Sequence, residues 1–181
     1  MPQPAKANIQ AGTVALMVDL PPAGTRGTEM PRVLRSLMKA MGWVGTLMFR
    51  FGAKVQGRPL LRLTTKGAKT GKRRETMLGW FADGDRENSW LVVASNAGSA
   101  RHPAWAFNIA NPSDVLIDFG DGEFPVEAQL LGGAEHDSVW GQIVEIAPGY
   151  GRHLEQTDRE IPIFRLNRRP VNPQSGGPGR I

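Results

Sequence analysis

The 181-residue sequence has no cysteine, so neither a disulfide framework nor a thiolate metal site is open to it. Its three histidines, His102, His136 and His153, are too far apart for the short spacings of metal-ligand motifs, and no metal centre is expected. No apolar run approaches the roughly 20 residues a membrane-spanning helix needs. The early apolar patch TVALMV (13–18) has no charged leader before it and no small-residue cleavage site after it. No secretory signal is therefore read, and a cytoplasmic location is expected. Tyrosine is also scarce: Tyr150 is the only one.

What is present suggests one packed domain. Hydrophobic residues make up 40% of the chain, enough for a core, and the length suits one ordinary domain. Residues 1–28 are rich in Pro, Ala and Gly and read as a flexible leader; 170–181 read as a flexible tail; 29–169 form the expected domain. In 31–51, Leu34, Leu37, Met38, Met41 and Met48 recur at helical spacing, with Arg32, Arg35 and Lys39 off that stripe. This predicts an amphipathic helix that packs on the domain, with peripheral contact to a membrane surface as the alternative. Strand signals follow at 59–65, 76–82, 89–95, 114–119, 123–131 and 161–166, with short helices predicted at 103–110 and 134–147. Sequential strands with few helices predict a mainly β fold with peripheral helices, an antiparallel barrel rather than a doubly wound sheet.

The positive charge is local. Net charge is +5, from 22 basic and 17 acidic residues. Six of the basic residues (Arg62, Lys66, Lys69, Lys72, Arg73, Arg74) lie in 62–74, and the rest of the chain carries 16 basic against 17 acidic. A local anion site fits this better than a nucleic-acid footprint, and no nucleic-acid partner is expected. The segment GAKTGK is not a nucleoside-triphosphate P-loop. Gly67 and Gly71 are four apart rather than five, Arg73 stands where Ser or Thr is needed, and a strand follows instead of a helix. Glycine backbone N–H groups, Lys69, Lys72, Arg73 and Arg74, and the Thr65 and Thr70 hydroxyls remain as anion ligands, against a merely solvated hairpin tip.

Two further segments carry polar groups in unusual settings. In VVASNAGSARHPAWAFNIANP (92–112), small residues follow a buried strand, and Ser95, Asn96 and Asn108 offer polar contacts, although Trp105 and Phe107 also suit a core. In APGYGRHLEQTDREIPIFRL (147–166), Tyr150 sits between glycines in an expected turn, placed either to pack or to donate a proton. Thr157, Asp158 and Arg159 read as a turn that leads into the last strand.

These segments, in this order, resemble the deazaflavin (coenzyme F420)-dependent nitroreductase and quinone reductase family. The resemblance rests on LTTKGAKTGKRRETML (63–78), ASNAGSARHPAWAFNIANP (94–112), and Pro148-Gly149-Tyr150 followed by TDREIP (157–162). It implies a split β-barrel of the FMN-binding type. It also implies hydride transfer from reduced F420 to a quinone, activated enone or nitroaromatic, in a protein that is a monomer or a dimer. Ala68, Lys69, Thr70, Lys72 and Arg74 would meet the phosphate region, and Met77 with Val93, Ala94, Ser95 and Asn96 the ring. Trp105 and Asn108 would close the pocket, and Tyr150 would serve the acceptor as proton donor. The chain departs from the family pattern at Ala68 (usually Arg), Met77 (usually Pro) and His153 (Tyr in some members). The rival readings are an FMN-binding oxidoreductase on the same barrel and a non-catalytic F420 carrier.

Overall fold

The computed structural model describes residues 19–29, 54–55, 57–110 and 114–170. The predicted helix 31–51 and all of the predicted tail but Pro170 lie outside the described residues. Along the chain come β1 (Lys54–Val55), β2 (Arg58–Lys66), β3 (Arg73–Ala82), β4 (Ser89–Val93), a short helical turn (Asn96–Gly98) and α1 (Ala104–Ala110). Then follow β5 (Val115–Asp118), β6 (Glu123–Leu130), α2 (Gly133–Ile146), α3 (Gly149–Gln156) and β7 (Ile163–Arg168).

The sheet is antiparallel, in the order β1-β2-β3-β4-β7-β6-β5, and β5 pairs back onto β2. Six strands thus close into a barrel, with β1 as a two-residue appendage to β2. The register follows the period-two pattern of the sequence. On β2, Leu61 and Leu63 point inward and are fully buried, while Arg62 and Lys66 point outward. Val92, Val115, Ile117, Val126, Phe164 and Leu166 join them in the interior, and Trp105, Ala106 and Ile109 of α1 pack into the same cluster. A second cluster lies on the outer face, where Val139 and Ile143 of α2 cover Phe81, Leu91 and Ile163.

Two predicted features are corrected. Residues 149–151 were expected as a Gly-flanked turn, yet they open α3. Gly149 and Gly151 lower intrinsic helix propensity, but packing against α2 and the 96–98 turn overrides it. Residues 19–28, expected to belong to a flexible leader, form a strap fastened to the barrel. Leu20 packs on the interior cluster. The Gly24 N–H donates to Ala100 O at 2.9 Å and the Thr28 N–H to Gly98 O at 2.9 Å. Asp158 accepts from the Thr25 N–H, the Thr25 hydroxyl and the Arg26 N–H. The strap lies so close at Gly27 that a Cβ there would collide with the Ala100 backbone.

Arg159 is the common anchor. Its side chain is buried with no carboxylate partner among the described residues, and burial pulls its pKa down from the ordinary guanidinium value. Its N–H groups are spent on Ser99 O (2.8 Å), Ala94 O (3.0 Å), Ser95 O (2.7 Å), Glu160 O (3.2 Å) and His102 Nδ1 (3.1 Å). His102 accepts at Nδ1 and donates from Nε2 to Pro21 O at 2.8 Å, which fixes its neutral tautomer. Arg159→Met would leave several buried carbonyls without a donor. It is expected to cost about 3 kcal/mol or more, read as a lowered urea midpoint.

A pH dependence follows from His102. Burial, and then the Arg159 charge, hold its pKa below the ordinary imidazole value against the opposing Pro21 bond. The unfolded chain takes up that proton as pH falls through about 6.5, and the fold resists it. Stability is therefore lost on acidification from about pH 6.5 down to the folded pKa. The melting temperature should fall between pH 7.5 and pH 5.5, and His102→Asn should flatten part of that slope.

Candidate functional site

The barrel is incompletely zipped along one seam. β3 pairs with β4 only at Trp80↔Val92, Phe81↔Leu91 and Ala82↔Trp90. The earlier part of β3, 73–79, has β2 on one edge, and among the described residues no backbone hydrogen bond joins its other edge to 93–98. Extending the register sets Gly79 level with Val93 and Met77 level with Ser95. This unzipped seam is the candidate crevice, with unpaired strand edge on one side and small residues on the other.

The small-residue wall is strained and held from several sides. Asn96 (φ 48°), Ala97 (φ 51°) and Gly98 (φ 73°) are three successive left-handed residues. For the two non-glycines this costs on the order of 1–3 kcal/mol each and persists only where the surroundings enforce it. Here the Arg159 guanidinium holds the Ala94, Ser95 and Ser99 carbonyls, and the Thr28 hydroxyl holds Ala97 O at 2.6 Å. The Asn96 amide donates to Arg101 O at 2.8 Å. α3 presses against Gly98, where a Cβ would meet Gln156 and the His153 carbonyl.

At the β2–β3 end of the crevice the six clustered cations separate into two sets. Arg62 pairs with Asp118, Lys66 with Asp114 (3.1 Å), and Arg73 with Glu75 (3.1 Å) and Glu123 (2.7 Å). Lys69, Lys72 and Arg74 are exposed and have no carboxylate within 4.0 Å among the described residues. Strand alternation puts Arg73 on the face of Glu75 and turns Arg74 to the face of Thr65 and Thr76. The unpaired charge of the loop is therefore Lys69, Lys72 and Arg74.

The expected backbone grip by the loop glycines is not available. The Gly67 N–H donates to Lys72 O, and the N–H groups of Thr70 and Gly71 both donate to Gly67 O. The Ala68 N–H donates to Asn108 Oδ1 at 2.9 Å. The loop glycines thus offer no free N–H to an anion, which leaves the side chains as its main ligands. Asn108 ties the loop to α1, and Trp105 is buried against Phe164, with ring centroids 5.8 Å apart. Both shape the loop and the barrel end from behind.

Tyr150 lies beyond the Met77 level, on the outer face. Its ring meets Phe81 edge-on (centroids 5.6 Å) and His153 edge-on (5.4 Å), and the Arg58 guanidinium sits 5.1 Å from its centroid. Burial raises the phenol pKa, with Arg58 pulling the other way, so the phenol keeps its proton at neutral pH. The structure thus gathers Met77, Val93, Ala94, Ser95 and Asn96 along the crevice, with Ala68, Lys69, Thr70, Lys72 and Arg74 at one end and Tyr150 toward the other. Sequence reasoning missed Arg58, which lies outside every motif. It also gave Arg159 only a turn; an arginine beside a buried-looking IPIFRL strand was the available signal.

Comparison with known proteins shows the family. Residues 41–168 match the F420H(2)-dependent quinone reductase family. An F420H(2)-dependent quinone reductase of Mycobacterium tuberculosis (strain H37Rv) is 36% identical over 126 residues, which cover 66% of this chain and 81% of the relative. The solved structure of an F420-H2 dependent reductase, FDR-A, superposes with a TM-score of 0.53 at 35% identity, covering 61% of this chain and 95% of that one. A second structure, described as a domain-swapped dimer, gives 0.54 at 30% identity over 75% of this chain and 99% of its own. The chain belongs to the F420H(2)-dependent quinone reductase family.

Proposed function

We propose that the protein is an F420H2-dependent reductase of quinones, with the crevice between β3 and the 93–98 turn as the cofactor site. The observation that carries the reading is the layout of that crevice. It has an open strand edge and a small-residue wall, with three unpaired cations at one end and a protonated phenol toward the other. These groups suit a long molecule with a planar ring and an anionic tail. Lys69, Lys72 and Arg74 would hold the phosphodiester and glutamate tail, and Met77 with 93–96 would flank the ring. Bound there, the reduced deazaflavin supplies a hydride.

The residues of this chain position, shield and protonate. The Arg159 hub and the strap fix the wall against which the ring would lie, so its orientation is set before binding. A quinone becomes a hydroquinone by gaining two electrons and two protons. The hydride accounts for both electrons and one proton, and Tyr150 Oη gives the second and recovers it from solvent. A quinone-side membrane contact through 31–51 and a dimer belong to the same reading. Arg32, Arg35 and Lys39 beside an apolar stripe support the membrane contact.

Reduction of menadione by F420H2, followed as cofactor oxidation, tests the activity. Turnover is expected; binding of the cofactor without turnover of any acceptor would leave a carrier instead. Arg74→Ala should weaken F420 binding about tenfold without lowering the melting temperature, and Ala68→Arg should tighten it. Tyr150→Phe should lower kcat at least about tenfold while leaving F420 affinity within about twofold. Unchanged turnover with every acceptor would remove Tyr150 from the chemistry.

A further inference from the structure

Arg58 is not accounted for by the cofactor site or by the fold. It begins β2 on the outer face, where the register extended from Leu60↔Gly79 sets it opposite Phe81. Its guanidinium lies 4.2 Å from the Phe81 centroid and 5.1 Å from that of Tyr150. No carboxylate lies within ion-pair distance of it among the described residues. Arg62, Arg73 and Arg165 each have such a partner. One guanidinium nitrogen, Nη1, is buried with no hydrogen-bond partner among the described residues. A buried charged donor without an acceptor is costly, and such groups call for a specific explanation.

The surroundings repeat the anomaly. His153 Nδ1 is also buried and without a partner among the described residues, and its ring lies edge-on to Tyr150. Two unsatisfied polar groups thus flank the one tyrosine, on aromatic packing that fixes their directions. The outer face of β3 carries Met77, Gly79 and Phe81 in one row. Gly79 has no side chain between the other two, and among the described residues the Arg58 stem lies over it, 3.9 Å from where a Cβ would be. At about 3.4 Å per residue, Met77 and Phe81 are about 14 Å apart along the strand, with the Arg58 stem between them.

We propose that Arg58, beside the Tyr150 phenol, selects aromatic acceptors bearing an anionic oxygen, such as hydroxyquinones or quinone carboxylates, over neutral analogues. The inference rests on the quinone reductase reading above. An oxyanion on the ring completes the Arg58 Nη1 donor and lies in the field of a guanidinium already stacked on Phe81. The same donor faces the oxygen on which charge accumulates during reduction, beside the phenol that protonates it. A neutral acceptor uses only the second of these.

The test compares two acceptors and one pair of dead-end ligands. With F420H2 as donor, wild type and Arg58→Met are assayed with menadione and with 2-hydroxy-1,4-naphthoquinone, which is ionised at neutral pH. Arg58→Met should lower kcat/KM for the hydroxyquinone about 30-fold, and menadione should fall by less than about fivefold. Arg58→Lys should restore part of the difference, and F420 affinity should be unchanged throughout. Should Arg58→Met fail to fold, wild type alone decides. Tryptophan fluorescence should then report 2-naphthoate binding at least about tenfold tighter than neutral 2-naphthamide, with the gap closing in high salt. Equal falls for both quinones, or equal binding of naphthoate and naphthamide, in an enzyme that reduces menadione would overturn the selection by Arg58 alone. Absence of menadione turnover would overturn the functional reading, and this inference with it.

Discussion

The buried guanidinium of Arg159 is the constraint on which the site depends. It has no counter-charge among the described residues, so it is tolerable only because its N–H groups meet carbonyls and one imidazole nitrogen. Three of those carbonyls, of Ala94, Ser95 and Ser99, belong to the segment that leaves β4 and forms the crevice wall. One side chain therefore couples the last strand, the left-handed turn at 96–98 and, through His102, the strap. Asp158 and Thr157, its neighbours in sequence, fasten the same strap at Thr25 and Arg26. The wall is rigid because three consecutive residues of one loop hold it.

A second buried pair does comparable work on the other side of the barrel. Arg165 of β7 grips Asp83 at 2.6 and 3.1 Å, and Glu135 of α2 meets the same guanidinium. Burial opposes ionisation of Asp83, but Arg165 and Ser89 outweigh it and hold the carboxyl below its ordinary value. This anchors the start of α2 to the sheet, and α2 leads directly into α3, which carries Tyr150 and His153. Both buried arginines thus act on function through position.

The barrel itself was legible in the sequence. The alternation of Leu61 and Leu63 with Arg62 and Thr64, the apolar run at 90–93, and the Gly-Asp-Gly turn at 120–122 each have a local physical cause. Which cations of the basic loop are free was not legible. Arg62, Lys66 and Arg73 are neutralised by Asp114, Asp118 and Glu123, roughly fifty residues onward. Closure of β5 onto β2 is what brings those carboxylates in. The strap was missed for a related reason: a Pro- and Gly-rich segment has no period, and what orders residues 19–28 is hydrogen bonding to a distant loop. Helix α3 was missed because Gly149 and Gly151 suggest a turn, whereas its stability comes from packing.

In the proposed reading, the loop, the crevice and the phenol take a planar cofactor with a long anionic tail, and the tail would distinguish F420 from a shorter flavin. Fluorescence titration of the protein with oxidised F420, and separately with flavin mononucleotide, addresses this most directly. The account predicts saturable F420 binding that weakens as salt screens Lys69, Lys72 and Arg74, with flavin mononucleotide bound far more weakly. Tight binding of flavin mononucleotide with none of F420 would contradict it.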